Sequence, residues 1–164
     1  MRTILLLLVF PLFTNGQNLS RAIKIDSIVT AIESDPAITR VVHDSTSYLK
    51  DDETGLFDTA FFHREIFFKN RQVVKISAWN KFKTWRTDLL LFYQNEKLIR
   101  FSMGETFKGE PGYGNLHYQV YYNKDNGFHT AWLTPKPDNV LNIATESCLK
   151  MAYTYLKDAR RWFP

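Results

Sequence analysis

Apolar residues recur with a helical period near both ends of the chain and with a period of two between them. The first helical stretch follows Ser20, a residue type that caps helix N-termini. Its apolar positions follow the i, i+3, i+4, i+7 spacing of one helix face and are Ile25, Ile28, Val29 and Ile32. The Ser34-Asp35-Pro36 segment ends this pattern, so we predict a first helix over residues 21–34.

A longer amphipathic helix is predicted at the other end of the chain, with Asp138 as its N-cap. Its main apolar stripe consists of Leu141, Ala144, Cys148, Ala152, Tyr155, Ala159 and Trp162, and Leu149, Leu156 and Phe163 widen it. Three basic residues, Lys157, Arg160 and Arg161, lie near its C-terminal end, where they suit the helix dipole.

Aromatic and β-branched runs separated by turn residues fill the middle of the chain and predict six or seven antiparallel strands. Residues 67–77 and 92–102 repeat an aromatic strand, an Asn turn and an aliphatic strand. A third, looser copy starts at Tyr121 and turns through Asp125-Asn126-Gly127, where Asn-Gly would supply positive φ angles. The repeats fit a tandem ligand-binding array or, more simply, a single β-meander. We therefore predict an α+β domain: an N-terminal helix, an antiparallel β-meander, and a long C-terminal helix packed on the sheet.

The second hairpin is apolar on both of its predicted faces. Pairing Gln94 with Lys97 places Leu89, Leu91, Tyr93 and Leu98 on one face, and Leu90, Phe92, Ile99, Phe101 and Met103 on the other. A hairpin with two apolar faces is normally covered on both sides. The sheet is therefore expected to curl around a core, to bury a ligand, or to dock a second subunit in a homodimer.

The last hairpin sorts into an apolar and a mixed face if Asn123 pairs with Phe128. The apolar face, expected against the helices, holds Leu116, Tyr118, Val120, Tyr122, Ala131 and Leu133, and the mixed face holds His117, Gln119, Tyr121, Thr130 and Trp132. The mixed composition suits a sugar ring or a protein partner, or it is an outer sheet face with scattered aromatics. This register places His129 on the face opposite His117, which argues against a zinc site built from both.

Residues 1–16 have the pattern of a cleaved signal peptide: Arg2, an apolar run over 4–13, and small residues at Thr14 and Gly16. The run is interrupted by Pro11 and is shorter than the roughly 20 residues that span a membrane. Cleavage would leave residues 17–164 without a membrane span, a length suited to a single domain. We therefore expect a protein that is exported to the periplasm or secreted.

The charge and the cysteine content narrow the function only slightly. The formal net charge is +4 for the whole chain and +3 without the leader, whose only charged residue is Arg2, and this gives no argument for a nucleic-acid partner. Cys148 is the only cysteine, so an intrachain disulfide is excluded. Its place on a helical stripe predicts a buried apolar role, with a reactive thiol or an intermolecular bridge as the alternatives.

Candidate catalytic groups are few. His63 and Glu65 lie two apart on a predicted strand and share a face, as an acid/base or metal pair requires. The other histidines are His43, which precedes Asp44, and His117 and His129. The glycine-rich segment 109–115, which contains Tyr113, lacks the Lys and Ser/Thr of a phosphate-binding loop and is expected to be a connection or the rim of a pocket. Neither a cofactor nor a metal is predicted.

The Asp26-Ser27-Ile28-Val29 segment and the aromatic hairpins carry a resemblance to known sequences. They resemble small exported proteins of Gram-negative bacteria that share a leader, a short helix and repeated aromatic/Asn hairpins, over about half of the mature chain. The resemblance implies export and this architecture, and it supplies no activity and no site residue. This chain has Arg71-Gln72 and Glu96-Lys97 where Gly-Lys-Leu is the more usual turn.

These observations favour a non-enzymatic binding or protein-interaction module with a protein or glycan partner. Its predicted binding residues are Tyr121, Trp132, His117, Gln119 and Tyr113. One alternative is a carrier that holds a small apolar ligand between the sheet and the C-terminal helix, in a cavity lined by Leu90, Phe92, Phe101 and Met103. The other alternative is a hydrolase or metal enzyme that uses His63 and Glu65.

Overall fold

The fold consists of one antiparallel sheet with a helix on each side. The computed structural model describes residues 5–50, 55, 57–107, 116–135 and 143–163. Its elements are α1 (Leu5–Glu33), β1 (Thr39–Lys50), β2 (Phe57–Lys69), β3 (Gln72–Lys81), β4 (Trp85–Gln94), β5 (Lys97–Phe107), β6 (Leu116–Asn123), β7 (Asn126–Trp132), α2 (Thr145–Ala159) and a 3-10 turn (Arg160–Trp162). The seven strands pair in sequence order, so the predicted α+β meander is confirmed. No helix within these ranges is both long and apolar enough to cross a membrane.

The helix boundaries differ from the predicted ones. Helix α1 begins at Leu5 instead of residue 21, so Ser20 lies inside the helix and does not cap it. The apolar run before Ser20 is rich in leucine, a strong helix former, and the helix continues through it. Helix α2 begins at Thr145 after Ala144, and Asp138 lies outside the described residues. Its predicted stripe is confirmed for Cys148, Ala152, Leu156 and Ala159, which are all buried.

The three hairpins share the same two-residue turn. Both turn residues have positive φ in each: Asn70 and Arg71 (49° and 61°), Asn95 and Glu96 (50° and 60°), and Lys124 and Asp125 (50° and 69°). Two consecutive left-handed residues form the turn whose twist matches that of the flanking strands. The predicted pairing of Asn123 with Phe128 and the predicted positive φ angles at Asn126 and Gly127 were therefore wrong, since Asn123 pairs with Asn126 and the turn residues are Lys124 and Asp125.

A β-bulge follows each of these turns at the same place. The register shifts between Phe67 and Phe68, between Phe92 and Tyr93, and between Tyr121 and Tyr122. The residues left without a cross-strand partner are Val74, Ile99 and Phe128. Because the extra residue shifts the alternation by one, every side chain beyond it changes face relative to an unbroken hairpin.

These bulges overturn part of the predicted face assignments. Phe101 and Met103 join Leu91 and Tyr93 on the α2 side instead of sharing a face with Phe92. In the last hairpin, Ala131 and Trp132 exchange faces in the same way. The four residues predicted to line a cavity for a small apolar ligand therefore cannot line one cavity, because they are divided between the two sides of the sheet.

Helices α2 and α1 cover opposite sides of the sheet. On one side, Ala152 and Leu156 pack against the β4–β6 core, and the Tyr93 hydroxyl donates to the Ala152 carbonyl at 2.8 Å. On the other side, the apolar face of α1 packs against Phe92, Ile99 and Tyr121 through Ala22, Ile25 and Val29. The expectation that the second hairpin is covered twice is confirmed, and part of its second cover is helix α1.

Candidate functional site

Basic and aromatic side chains alternate across all seven strands on the side of the sheet that α1 covers. This cation–aromatic row consists of the cross-strand neighbours Arg40, Phe67, Lys75, Phe92, Arg100, Tyr121 and His129. The Nζ of Lys75 lies 5.0 Å from the centroid of Phe67 and 5.4 Å from that of Phe92. The Cζ of Arg100 lies 4.6 Å from the Phe92 centroid. These separations are those of cation–π contacts.

Two acidic residues of α1 fasten the helix to this row. Asp26 accepts a hydrogen bond from Arg100 Nη1 at 2.9 Å, and Glu33 accepts one from Lys75 Nζ at 3.1 Å. The two residues are seven positions apart in the sequence, so their carboxylates lie about two turns apart on the same face of the helix. Because their partners lie on β5 and β3, α1 crosses the strands. The row is therefore the surface on which the helix packs, and we call it the seat of the helix.

Tyr121, a predicted binding residue, belongs to this seat. Its side chain is on the predicted face with His117 and Gln119, but the residue is only 5% exposed under α1. Its hydroxyl donates to both carboxylate oxygens of Asp26, at 3.1 and 3.2 Å. Burial raises the pKa of Tyr121, and the adjacent Asp26 carboxylate raises it further. Tyr121 therefore holds the helix in place and offers no ring to a ligand.

Trp132, which we predicted on the same face as Tyr121, lies on the opposite one. It pairs with Tyr118 on the α2 side, with ring centroids 5.6 Å apart, and it is half-buried there. Thr130 also lies on the α2 side, opposite Val120. The bulge at Tyr121 and Tyr122 accounts for this difference, and Tyr113 lies outside the described residues.

A polar strip lies beside α1 on the same side of the sheet. It is formed by two neighbouring cross-strand rows, Glu65, Ser77, Leu90, Ser102 and Gln119, then His63, Trp79, Asp88, Gly104 and His117. Four of the predicted site residues lie on the strip as two separate pairs, His63 with Glu65 on β2 and His117 with Gln119 on β6. Part of it lines a half-open cavity of about 630 Å³, through Ser77, Asp88, Leu90, Ser102, His117 and Gln119.

His63 is held between two carboxylates. Its Nδ1 lies 2.5 Å from Asp44 Oδ1, and its Nε2 lies 3.4 Å from Glu65 Oε1. The hydrogen bond to Asp44 raises the pKa of His63, burial opposes the rise, and Glu65 adds to it. Glu65 also pairs with Arg40. The contact to Asp44 ties β1 to β2, and Glu65 lies beside the other ring nitrogen.

The Trp79 ring contacts side chains from both neighbouring strands. The His63 ring stacks on it with an interplanar angle of 15° and a centroid distance of 5.3 Å. From the neighbouring strand, the Arg86 guanidinium lies 4.9 Å from the Trp79 centroid and also bonds Asp88, with a shortest distance of 2.6 Å. These two contacts take up ring surface of Trp79 that a ligand would need for stacking.

His117 is positioned by contacts on both its side chain and its backbone. Its Nε2 lies 3.2 Å from Ser102 Oγ, and its backbone N–H donates to Thr134 Oγ1 at 2.9 Å. Gly104 stands between His117 and Asp88, and a Cβ added there would lie 3.8 Å from the His117 ring. The missing side chain leaves the cavity open between the imidazole and the carboxylate. Ser102 is only 4% exposed, so its hydroxyl is poorly placed to attack a substrate.

The two histidines of the last hairpin share a face, contrary to the predicted register. His129 pairs with Tyr121 after the bulge, whereas His117 lies four residues away along β6. That spacing corresponds to about 13 Å along a strand, too far for a shared metal ion. Among the described residues, no group of three or more His, Cys, Asp or Glu is placed to hold a metal.

Cys148 has the buried role that its helical position predicted. It is 5% exposed, and its Sγ lies 3.7 Å from the Tyr118 hydroxyl. Burial raises the pKa of this thiol, which suppresses the reactive thiolate at neutral pH.

The sequence contained a signal for the cation–aromatic row that residue-by-residue reasoning missed. Phe67, Phe92 and Tyr121 occupy equivalent positions in the three hairpin repeats, and so do Lys75, Arg100 and His129. Ser77, Asp88 and Ser102 of the polar strip carried no such signal, because isolated serines and aspartates on strands are common on solvated sheet faces.

Comparison of the chain with family models, with curated proteins and with solved structures gave no match.

Proposed function

We propose that the protein is an exported, non-enzymatic binding module that binds a glycan on the polar strip. The observation that carries this proposal is the cavity of about 630 Å³ beside α1, where serine, amide, carboxylate and imidazole groups converge. Such groups donate and accept hydrogen bonds in the pattern that sugar hydroxyls require. Leu90 adds an apolar patch for the C–H face of a sugar ring.

The strip favours recognition by hydrogen bonds over aromatic stacking. Trp79 is the only tryptophan of the strip, and His63 and Arg86 both contact its ring. Gln119 and Asp88 lie in the two neighbouring rows of the strip, and Asp88 faces His117 across Gly104. A bound sugar would therefore contact these two side chains and His117 first.

Binding is favoured over catalysis by the state of the candidate catalytic groups. Both nitrogens of His63 contact carboxylates that tie strands together. Ser102 is only 4% exposed where it contacts His117, which limits the access of a substrate to its hydroxyl. These contacts support a fixed recognition surface.

Export is also part of the proposal, with residues 1–16 removed as a leader. The apolar contacts that seat α1 on the sheet come from Ala22, Ile25 and Val29, and its ion pairs come from Asp26 and Glu33. Cleavage after Gly16 would leave all of these residues in place. Intact-mass measurement of protein recovered from the periplasm or the medium tests this step, and a chain that still carries Met1 would contradict it.

The glycan proposal is tested by titrating the mature protein with oligosaccharides from a glycan array screen, using calorimetry. Gln119→Ala and Asp88→Asn are each expected to weaken binding about tenfold, since the first removes an amide and the second replaces a charged carboxylate acceptor by a neutral amide. Gln72→Ala, at an exposed position of the first hairpin, is the matched control and should bind normally. Equal weakening in the control, or binding of peptides but of no glycan, would contradict the proposal.

A further inference from the structure

A second cavity lies on the other side of α1, between the helix and the turns of the last two hairpins. Its volume is about 500 Å³, which is within the usual range for small-molecule sites. The side of α1 that borders this cavity contributes Arg21 and Lys24, and the hairpin turns contribute Lys97 and Lys124. We call this cavity the basic cleft.

The charge of the basic cleft has a single sign. Its lining includes these four cations and three amide side chains, Gln94, Asn95 and Asn123, but no acidic residue. Lys97 is paired with Asp125 at 2.9 Å, whereas Arg21, Lys24 and Lys124 make no ion pair within the described part of the chain. A cleft lined by charges of one sign concentrates the field and attracts the opposite ion.

The floor of the basic cleft is apolar. Ile25 of α1 and Ile99 of β5 are nearly buried at its base, and the half-buried Phe128 completes it. Ile99 and Phe128 are the unpaired residues of their β-bulges, so the bulges turn both side chains toward α1. A cationic rim above an apolar floor suits a ligand with one anionic group and a hydrocarbon body.

From this geometry we infer that the basic cleft binds an anionic amphiphile, a molecule with a carboxylate or phosphate head and an alkyl tail. The head lies between Lys24 and Lys124, and the tail lies on Ile99 and Phe128. The same chemistry has two sources: a free fatty acid, or the headgroup of an anionic phospholipid in a membrane. This site is separate from the polar strip, because α1 lies between them.

The inference is tested with two probes and a charge-matched pair of variants. Monomeric decanoate is titrated into the mature protein by calorimetry, and phosphatidylglycerol vesicles are tested by co-sedimentation. Lys24→Glu is expected to weaken binding about tenfold or more, because it replaces attraction by repulsion at the cleft rim. Lys150→Glu changes the net charge equally at an exposed site on α2 and should leave binding unchanged.

The outcomes separate the two sources and identify failure. Saturable binding of decanoate that Lys24→Glu weakens supports the inference and assigns a free amphiphile. Binding to the vesicles alone, with the same dependence on Lys24, supports it and assigns a membrane headgroup. If decanoate binds, Phe128→Ser should reduce the preference for decanoate over butanoate. If only the vesicles bind, Phe128→Ser should reduce the preference for the vesicles over inorganic phosphate. No binding to either probe, or equal weakening by Lys150→Glu, overturns the inference.

Discussion

Replacing Asp26 by alanine tests whether the ion pair between Asp26 and Arg100 holds α1 on the sheet. The Arg100 side chain is 12% exposed, and Asp26 is its ion-pair partner. The Nε of Arg100 is buried and has no hydrogen-bond partner among the described residues, so loss of Asp26 would leave the guanidinium with fewer contacts still. The Tyr121 hydroxyl would keep only Gln119, at 3.1 Å.

The expected cost of Asp26→Ala follows from these contacts. Removing one partner of a fully buried ion pair costs about 3–5 kcal/mol, and a hydrogen bond to a charged group contributes about 1.5–3 kcal/mol. Because the Asp26 side chain is 45% exposed, the lower figures apply, and we take about 2 kcal/mol. Alanine's higher helix propensity returns about 0.5 kcal/mol. The net loss in the free energy of unfolding is therefore about 1.5 kcal/mol, or about tenfold in the folding equilibrium.

Replacing the other partner of the pair, Arg100→Met, is expected to lower the free energy of unfolding by less than about 1 kcal/mol. It leaves the half-exposed Asp26 in contact with water and with the Tyr121 hydroxyl, and it keeps an apolar side chain over Phe92. Arg160→Met is the control, since Arg160 and Glu96 form an exposed pair, and its effect should be within about 0.5 kcal/mol. Urea denaturation followed by circular dichroism measures all three. Equal losses for Asp26→Ala and Arg100→Met would refute the reasoning.

Three further predictions test other parts of the fold. Gly127→Ala should lower stability by about 1–3 kcal/mol, because its Cβ would lie 2.9 Å from Thr145, whereas Gly104→Ala, with 3.8 Å of space, should be neutral or mildly stabilising in the same denaturation assay. Because the pKa of His63 is raised in the folded state, its stabilising contribution is complete below its unfolded pKa of about 6.5 and is lost as the pH rises through its folded pKa. His63→Gln should therefore destabilise the protein more at about pH 5.5 than at about pH 8.5. Equal losses of stability at the two pH values would contradict this. Arg71→Gly should raise the melting temperature, because Arg71 has a φ of 61°, and Arg71→Ala should not.

The alternation of apolar positions predicted the meander and the two helices, because both depend on local periodicity. The 25-residue repeat also identified the hairpins correctly, since each Asn or its neighbour takes part in a two-residue turn. The bulges could not be predicted in this way. An extra residue leaves the local pattern of Val73, Val74 and Lys75 unchanged and alters only how it aligns with the partner strand.

The candidate site was partly predictable for the same reason. His63 with Glu65, and His117 with Gln119, were placed on a common face because each pair lies within one uninterrupted strand. Trp132 was misplaced because the bulge separates it from Tyr121. The cover provided by α1 was also missed, since its acidic residues find partners far away in sequence, as Asp26 does with Arg100.

The most direct test of the proposed binding module is a ¹⁵N-edited NMR titration of the mature protein with the oligosaccharides that bind on an array. Saturable shifts are expected for the backbone amides of Ser77, Ser102, His117 and Gln119, with the amides of α2 unmoved. Shifts confined to α2 or to the exposed hairpin turns, or no shifts with any oligosaccharide, would contradict it.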